Sequence, residues 1–268
     1  MFLEALATYV VKHVRTDPSD LCFVFPNRRS GLFFRRFLVK HSDRTTWAPR
    51  ILTINELMTE LGGLEIADPL DILFDLYDNY KKAIPQPEPF DSFYPWGEMM
   101  ISDFDTLDKY LVDPDTVFRN IKELREIDES FGGLEEAQVE FVRKFWKSFH
   151  QGDATREKEI FLSTWKLLPK LYHALVNALQ SRGEGYEGMI YRKVAESDVF
   201  ALSSQLSFAH YYFVGFNALS TSEKQLFRKM KNRKVASFFW DFDEQYLENE
   251  AMEAGRFLRE NIREFPPP

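Results

Sequence analysis

Cysteine is almost missing from this sequence: Cys22 is the only one in 268 residues. One thiol excludes a disulfide within the chain and any cysteine-built metal site, and the scarcity fits a reducing cytoplasm. Long hydrophobic runs are missing too, since none approaches the roughly 20 residues that span a bilayer. Glu4 interrupts the apolar start, so the layout of a signal peptide is not met. No Gly-Lys pair occurs, which excludes a GxxxxGK[ST] loop that would cradle nucleotide phosphates. No GxGxxG dinucleotide fingerprint is expected, and the nucleophile elbow GxSxG is also missing. His13, His41, His150, His173 and His210 lie far apart without an HExxH spacing, and they read as packing or surface residues. Nowhere does a carboxylate stand two residues before a lysine, the (D/E)-x-K arrangement that flanks a metal-bound water in restriction-type nucleases. These gaps predict no catalytic residue, no metal and no cofactor.

What is present is apolar and aromatic. Hydrophobic residues make up 44% of the chain and charged ones 28%, with 26 phenylalanines, so the chain has material for a sizeable core. The net charge of −8 argues against a surface coated in basic groups. A nucleic-acid contact would therefore be a local patch, and Arg28, Arg29, Arg35, Arg36 and Lys40 are the candidates. The plainer account of the same cluster is a solvated helix face.

Hydrophobic periodicity gives an α/β chain with a helical middle. Residues 1–15 form an amphipathic helix. Leu21–Phe25 is a buried strand stopped by Pro26, followed by a polar loop, Asn27 to Ser30, and a helix over about 31–41. Arg50–Thr53 is a short extended piece, and Asn55 is a weak start for a helix running to Leu61. From Asp68 to about Ser197 the pattern is helical, with candidates over 68–83, 95–110, 114–126, 134–149, 156–181 and 187–199. Asp68-Pro69 is a cap followed by proline at the first helical position. Strand, helix and strand then return at 210–216, 220–230 and 234–240, with Ser220 and Glu223 forming a capping box. A last helix covers 248–264. The expected organisation is one discontinuous α/β domain, 1–67 with 201–268, interrupted by an all-helical insertion over 68–200.

Phe25-Pro-Asn-Arg-Arg-Ser30 resembles motif Ia of superfamily 1 helicases, a strand followed by a Thr-Asn-Lys-type loop that touches single-stranded DNA. Leu52-Thr-Ile-Asn-Glu-Leu57 resembles the next motif of that family, with Asn55 in place of its histidine. Four further stretches resemble AddB-type helicase-nuclease subunits, especially the Bacteroidetes-like form of the PD-(D/E)XK nuclease family. They are Val24-Phe-Pro-Asn-Arg-Arg-Ser-Gly31, Ser102-Asp-Phe-Asp-Thr-Leu-Asp-Lys-Tyr-Leu111, Phe213-Val-Gly-Phe-Asn-Ala-Leu-Ser-Thr-Ser-Glu223 and Glu253-Ala-Gly-Arg-Phe-Leu-Arg-Glu-Asn261.

The resemblance implies a RecA-like parallel sheet with a degenerate P-loop and a 1B-like helical insertion. A family ATPase opens with a strand and P-loop, whereas this chain opens in the following helix. Val214 and Gly215 stand where the family's second ATPase motif, Walker B, carries its carboxylates. Without those groups nothing neutralises the charge on a transferred phosphate. The implied function is an ATPase-inactive DNA-binding module in double-strand-break processing. The implied partners are single-stranded or broken double-stranded DNA and an AddA-like helicase-nuclease subunit, with no membrane. The implied DNA contacts are Pro26, Asn27, Arg28, Arg29, Ser30, Arg35, Arg36, Thr53 and Asn55. Phe33 and Phe34 could stack on bases, although the helix core accounts for them more simply. Two alternatives remain: a metal nuclease or nucleotide hydrolase using Asp103, Asp105, Asp241 or Asp243, and a purely structural interaction domain.

Overall fold

The computed structural model describes residues 2–42, 45, 47–119, 167–198, 206–248 and 252–268. The chain divides into two compact units, residues 1–62 with 194–268, and residues 63–193.

In the first unit, the apolar run Leu21–Phe25 forms strand β1, buried at all five positions. A strand buried on both faces needs helices on both sides, the condition met in parallel α/β sheets. β1 pairs in parallel with β2 (Arg50–Thr53) on one side and β5 (His210–Val214) on the other, and β6 (Ala236–Phe239) continues beyond β5. The strand order is therefore β2-β1-β5-β6. One face packs Leu21, Phe23 and Phe25 against helices α1 (Phe2–His13) and α2 (Arg28–His41), through Leu6, Ala7, Val10 and Phe34. Phe23 also stacks on its register partner Tyr212 at 4.7 Å between ring centroids. Another aromatic cluster joins Phe213 and Phe238 to Phe227 of α9 (Thr221–Asn232) and to Phe265, beyond the end of α11 (Arg256–Glu264). Trp240 closes it by donating its indole N–H to the Phe265 carbonyl at 2.8 Å.

The second unit is mostly helical: α4 (Pro69–Ala83), α5 (Phe90–Lys109), α6 (Pro114–Arg119), α7 (Leu168–Ser181) and most of α8 (Glu187–Glu196). The expectation of an all-helical insertion is corrected by one feature. Two-residue strands β3 (Glu65–Ile66) and β4 (Glu184–Gly185) pair in parallel. Such short strands carry no alternation to read, and their partners lie far apart in sequence. Helix α5 begins at Phe90 instead of 95, with Pro95 inside its second turn. One missing N–H there is the local cost. The remaining expected helix segments, 134–149 and the first part of 156–181 among them, lie outside the described residues.

A fully buried carboxylate organises this second unit. Asp108, with no exposed surface, accepts hydrogen bonds from the Tyr172 hydroxyl at 2.6 Å, the Tyr186 hydroxyl and Arg192 Nε at 2.5 Å. The Arg192 guanidinium also donates to the carbonyls of Leu107 and Val112, at 3.1 and 2.6 Å. Burial pushes the Asp108 carboxyl up, opposed by the guanidinium and both phenols. A buried charge persists only when paired and hydrogen-bonded, and here both conditions are met.

Among the described residues no helix is long and apolar enough to cross a membrane.

Candidate nucleic-acid interface

In an open parallel sheet, ligands meet the carboxyl ends of the strands where the strand order reverses. Here β1 has β2 on one side and β5 on the other, so the switch point lies between the segments that follow β1 and β5. Each strand end there runs into a capped helix, and the caps use several residues expected to touch DNA.

After β1, the polar loop expected over Asn27 to Ser30 is instead a helix start. Asn27 is the N-cap of α2, and its Oδ1 accepts from the Ser30 N–H at 2.9 Å and the Ser30 hydroxyl at 3.1 Å. Arg28, Arg29 and Ser30 form the first turn of α2, and exposed Pro26 precedes the cap. The reason is ordinary capping chemistry: asparagine satisfies an orphan N–H of the first turn. After β2, the helix α3 (Ile54–Gly62) starts earlier than the Asn55 expected from sequence. Thr53 and Glu56 close a capping box. Glu56 N–H donates to Thr53 Oγ1 at 3.3 Å, while Thr53 N–H donates to Glu56 Oε2 at 2.8 Å. That threonine-x-x-glutamate spacing matches the Ser220–Glu223 box found from sequence, and it was the available signal. Asn55 lies exposed in the first turn of α3, and its carbonyl accepts from the Thr59 hydroxyl. After β5, Val214 is fully buried and Gly215 takes a left-handed backbone, φ +70°. Its N–H donates to the Phe239 carbonyl at 2.8 Å.

The arginines divide into two groups. Arg28 pairs with Glu56, and Lys40, at the other end of α2, pairs with Glu4 at 2.7 Å. Arg29 lies over the Phe33 ring at 5.8 Å. Arg29, Arg35 and Arg36 are exposed and make no ion pair among the described residues. A helix rises 1.5 Å and turns about 100° per residue, so Arg29 and Arg36 share one face of α2 about 10 Å apart, while Arg35 lies roughly a third of a turn round the helix from them. Leu32 and Val39 lie exposed on the arc between Arg36 and Arg35. Phe34 is fully buried between Phe23 and Phe25, whereas Phe33 is partly exposed. Gly31 permits the close approach of α2 to β2, because a Cβ there would meet Ile51 Cγ2 at 2.7 Å.

At the opposite, amino edge of the sheet, an open cleft of about 340 Å³ is lined by Arg35, Trp47, Pro49, Arg50, Ile51 and Phe208, among others. Sequence reading passed over Trp47. Its signal was a bulky aromatic in a short polar link between a basic helix and a strand.

The candidate acidic residues do not converge. Asp105 accepts from Lys109 at 2.8 Å and from the Gly188 N–H at 2.6 Å. Asp243 accepts from the Gln245 N–H at 3.0 Å. Asp103 has no hydrogen-bond or ion-pair partner among the described residues, and burial raises its carboxyl to about 7. No group of three or more metal-binding side chains forms among the described residues.

The expected absence of a GxGxxG fingerprint is corrected by the chain itself. Gly183-Glu-Gly-Tyr-Glu-Gly188 spells GxGxxG, the dinucleotide fingerprint. In the fold it links α7 to α8 instead of following a sheet strand into a helix. Gly183 adopts φ +74° just past the end of α7, and Gly188 lies so close to α5 that an added Cβ would stand 2.2 Å from the Asp105 carbonyl oxygen. The amide near the α8 start, which in a dinucleotide fold faces a phosphate, here faces the Asp105 carboxylate.

Compared with known proteins, the sequence matches no family model and no curated protein.

Proposed function

We propose that this chain is a DNA-binding, ATPase-inactive helicase-like module of an AddB-like nuclease, with a RecA-like sheet and a degenerate P-loop. It would hold single-stranded or broken double-stranded DNA beside an AddA-like helicase-nuclease subunit during double-strand-break processing in the cytoplasm. The observation that carries the reading is the exposed surface of α2. Three guanidinium groups without ion-pair partners among the described residues project from one helix, in a chain of net charge −8. Unpaired arginines are the groups free to release counterions from a phosphate backbone. The resemblance of the β1–α2 segment to a helicase DNA-contact motif supports the same face.

Fluorescence anisotropy with labelled single-stranded DNA at low and moderate salt tests this. Arg29→Glu/Arg36→Glu is the informative variant, because Arg28 is engaged with Glu56. Salt-sensitive binding is expected. The variant should weaken it at least tenfold and lower the salt slope by about 1.4, two phosphate contacts at ~0.7 each for single strands. Wild-type protein that fails to bind at low salt would overturn the reading.

A further inference from the structure

We propose that the cleft at the amino edge of the four-stranded sheet holds one nucleotide of a single-stranded nucleic acid, its base stacked on Trp47 and its phosphate on Arg35. The inference rests on the nucleic-acid reading above. It places a contact at the edge opposite the segment after β1 that the sequence motif singles out.

Trp47 is 80% exposed, an unusual state for the largest apolar side chain. Ala48 precedes Pro49, and a residue before proline is held extended, which fixes the backbone between the indole and the strand that follows. Ile51 and Phe208 give the cleft an apolar wall. Its two cations differ. Arg50 is held by Glu60 at 2.9 Å, whereas Arg35 has no ion-pair partner among the described residues. None of the described residues lining the cleft is acidic, in a chain whose carboxylates outnumber its cations. The volume, about 340 Å³, falls at the small end of the ~300–1,000 Å³ range of ligand clefts. An exposed aromatic face beside a free guanidinium is the pairing that sequence-tolerant single-strand binders use: a platform for any base and a charge for the backbone. Arg29 and Arg36 lie on another face of the same helix and do not line the cleft.

The test compares the whole chain with Trp47→Ala, Trp47→Phe and Arg35→Gln, using fluorescein-labelled oligo(dT) across a salt series. Trp47→Ala is expected to weaken binding roughly 5- to 150-fold, the effect of losing one stacked base, with the salt slope unchanged. Trp47→Phe should recover most of the affinity. Arg35→Gln should lower both the affinity and the slope, the latter by about 0.7. Thermal melting of each variant should match wild type, since both side chains are exposed. Wild-type binding that is unaffected by Trp47→Ala and Arg35→Gln but lost in Arg29→Glu/Arg36→Glu would overturn this inference and leave the proposed function standing. Wild-type protein without affinity for oligo(dT) would overturn both. Thymidine monophosphate should not compete at equal nucleotide concentration. Full competition would reassign the cleft to a free nucleotide.

Discussion

The Arg28 guanidinium reaches from the first turn of α2 to the Glu56 carboxylate in the first turn of α3, with Nη2 2.9 Å and Nε 3.2 Å from the same oxygen. Glu56 meanwhile caps α3 through its other oxygen, which accepts from the Thr53 backbone and hydroxyl. One carboxylate thus joins the starts of two helices at the carboxyl edge of the sheet.

The two halves of that arrangement should differ in energy. Arg28 is 82% exposed, so its ion pair contributes little in water. Arg28→Ala is expected to change stability by less than about 0.5 kcal/mol, whereas Glu56→Ala should cost roughly 1 kcal/mol through the lost cap. Hydrogen bonds from Thr53, then from Arg28, hold the Glu56 carboxyl below its ordinary value. Its folded pKa is depressed, so the contribution is present above about pH 4.5 and is lost as pH falls through the folded value. Chemical denaturation at neutral and acid pH reads both effects, and a Glu56→Ala deficit that persists unchanged in acid would refute the assignment.

Removing Asp108 or Arg192 strips the other of its opposite charge inside the second unit, where neutral partners, the two phenols for Asp108 and two carbonyls for Arg192, remain. Asp108→Ala and Arg192→Met are each expected to destabilise the protein by roughly 3–5 kcal/mol. Tyr172→Phe should cost about 1–2 kcal/mol, the scale of one hydrogen bond to a charged group. Equilibrium unfolding in urea measures all three. An Arg192→Met variant as stable as wild type would show that Asp108 is held neutral.

Asp103 should make stability fall as pH rises from about 4 to 7. Its carboxyl rises from the ordinary 3.8 to about 7 through burial. The folded state therefore holds this proton more tightly than the unfolded chain. The contribution is complete below about pH 4 and is lost as pH rises through 7. Asp103→Asn, which carries no charge to bury, should gain on wild type across that window and level off above it, by about 1–3 kcal/mol. A gain independent of pH would exclude titration of this carboxyl as the cause.

The two end glycines of the GxGxxG stretch should respond differently to alanine. At Gly183 nothing lies within 4 Å of an added Cβ, so only the left-handed backbone resists, at about 1 kcal/mol. At Gly188 the obstacle is the backbone of α5, which cannot rotate aside, and the expected cost is about 3 kcal/mol or more. Thermal denaturation of the two variants checks the order. A nucleotide-binding role would instead predict that both fold normally and lose a ligand.

Legibility followed sequence distance. β1 could be read because five consecutive apolar residues end at Pro26. The Ser220–Glu223 box was read from a local spacing, and Thr53–Glu56, with the same spacing, was overlooked because Asn55 offered a competing cap. The start of α2 was placed late because Arg28-Arg29-Ser30 looks like a polar turn until Asn27 is recognised as the residue that caps it. The helix expected from residue 95 in fact begins five residues earlier, at Phe90. The Trp47 cleft could not be read at all. Its walls come from residues around 19, 35, 47 and 208, which only the fold brings together.

The central position of β1 also constrains the order in which the chain can fold. Its partner β5 begins at His210, after the whole of the second unit. During synthesis β1 and β2 emerge first, with one side of β1 still an open row of amide and carbonyl groups. Such an edge invites pairing with another chain. A fragment ending near residue 62 would therefore be prone to self-association, and productive folding must wait for a closure across most of the chain, a slow step for a parallel sheet.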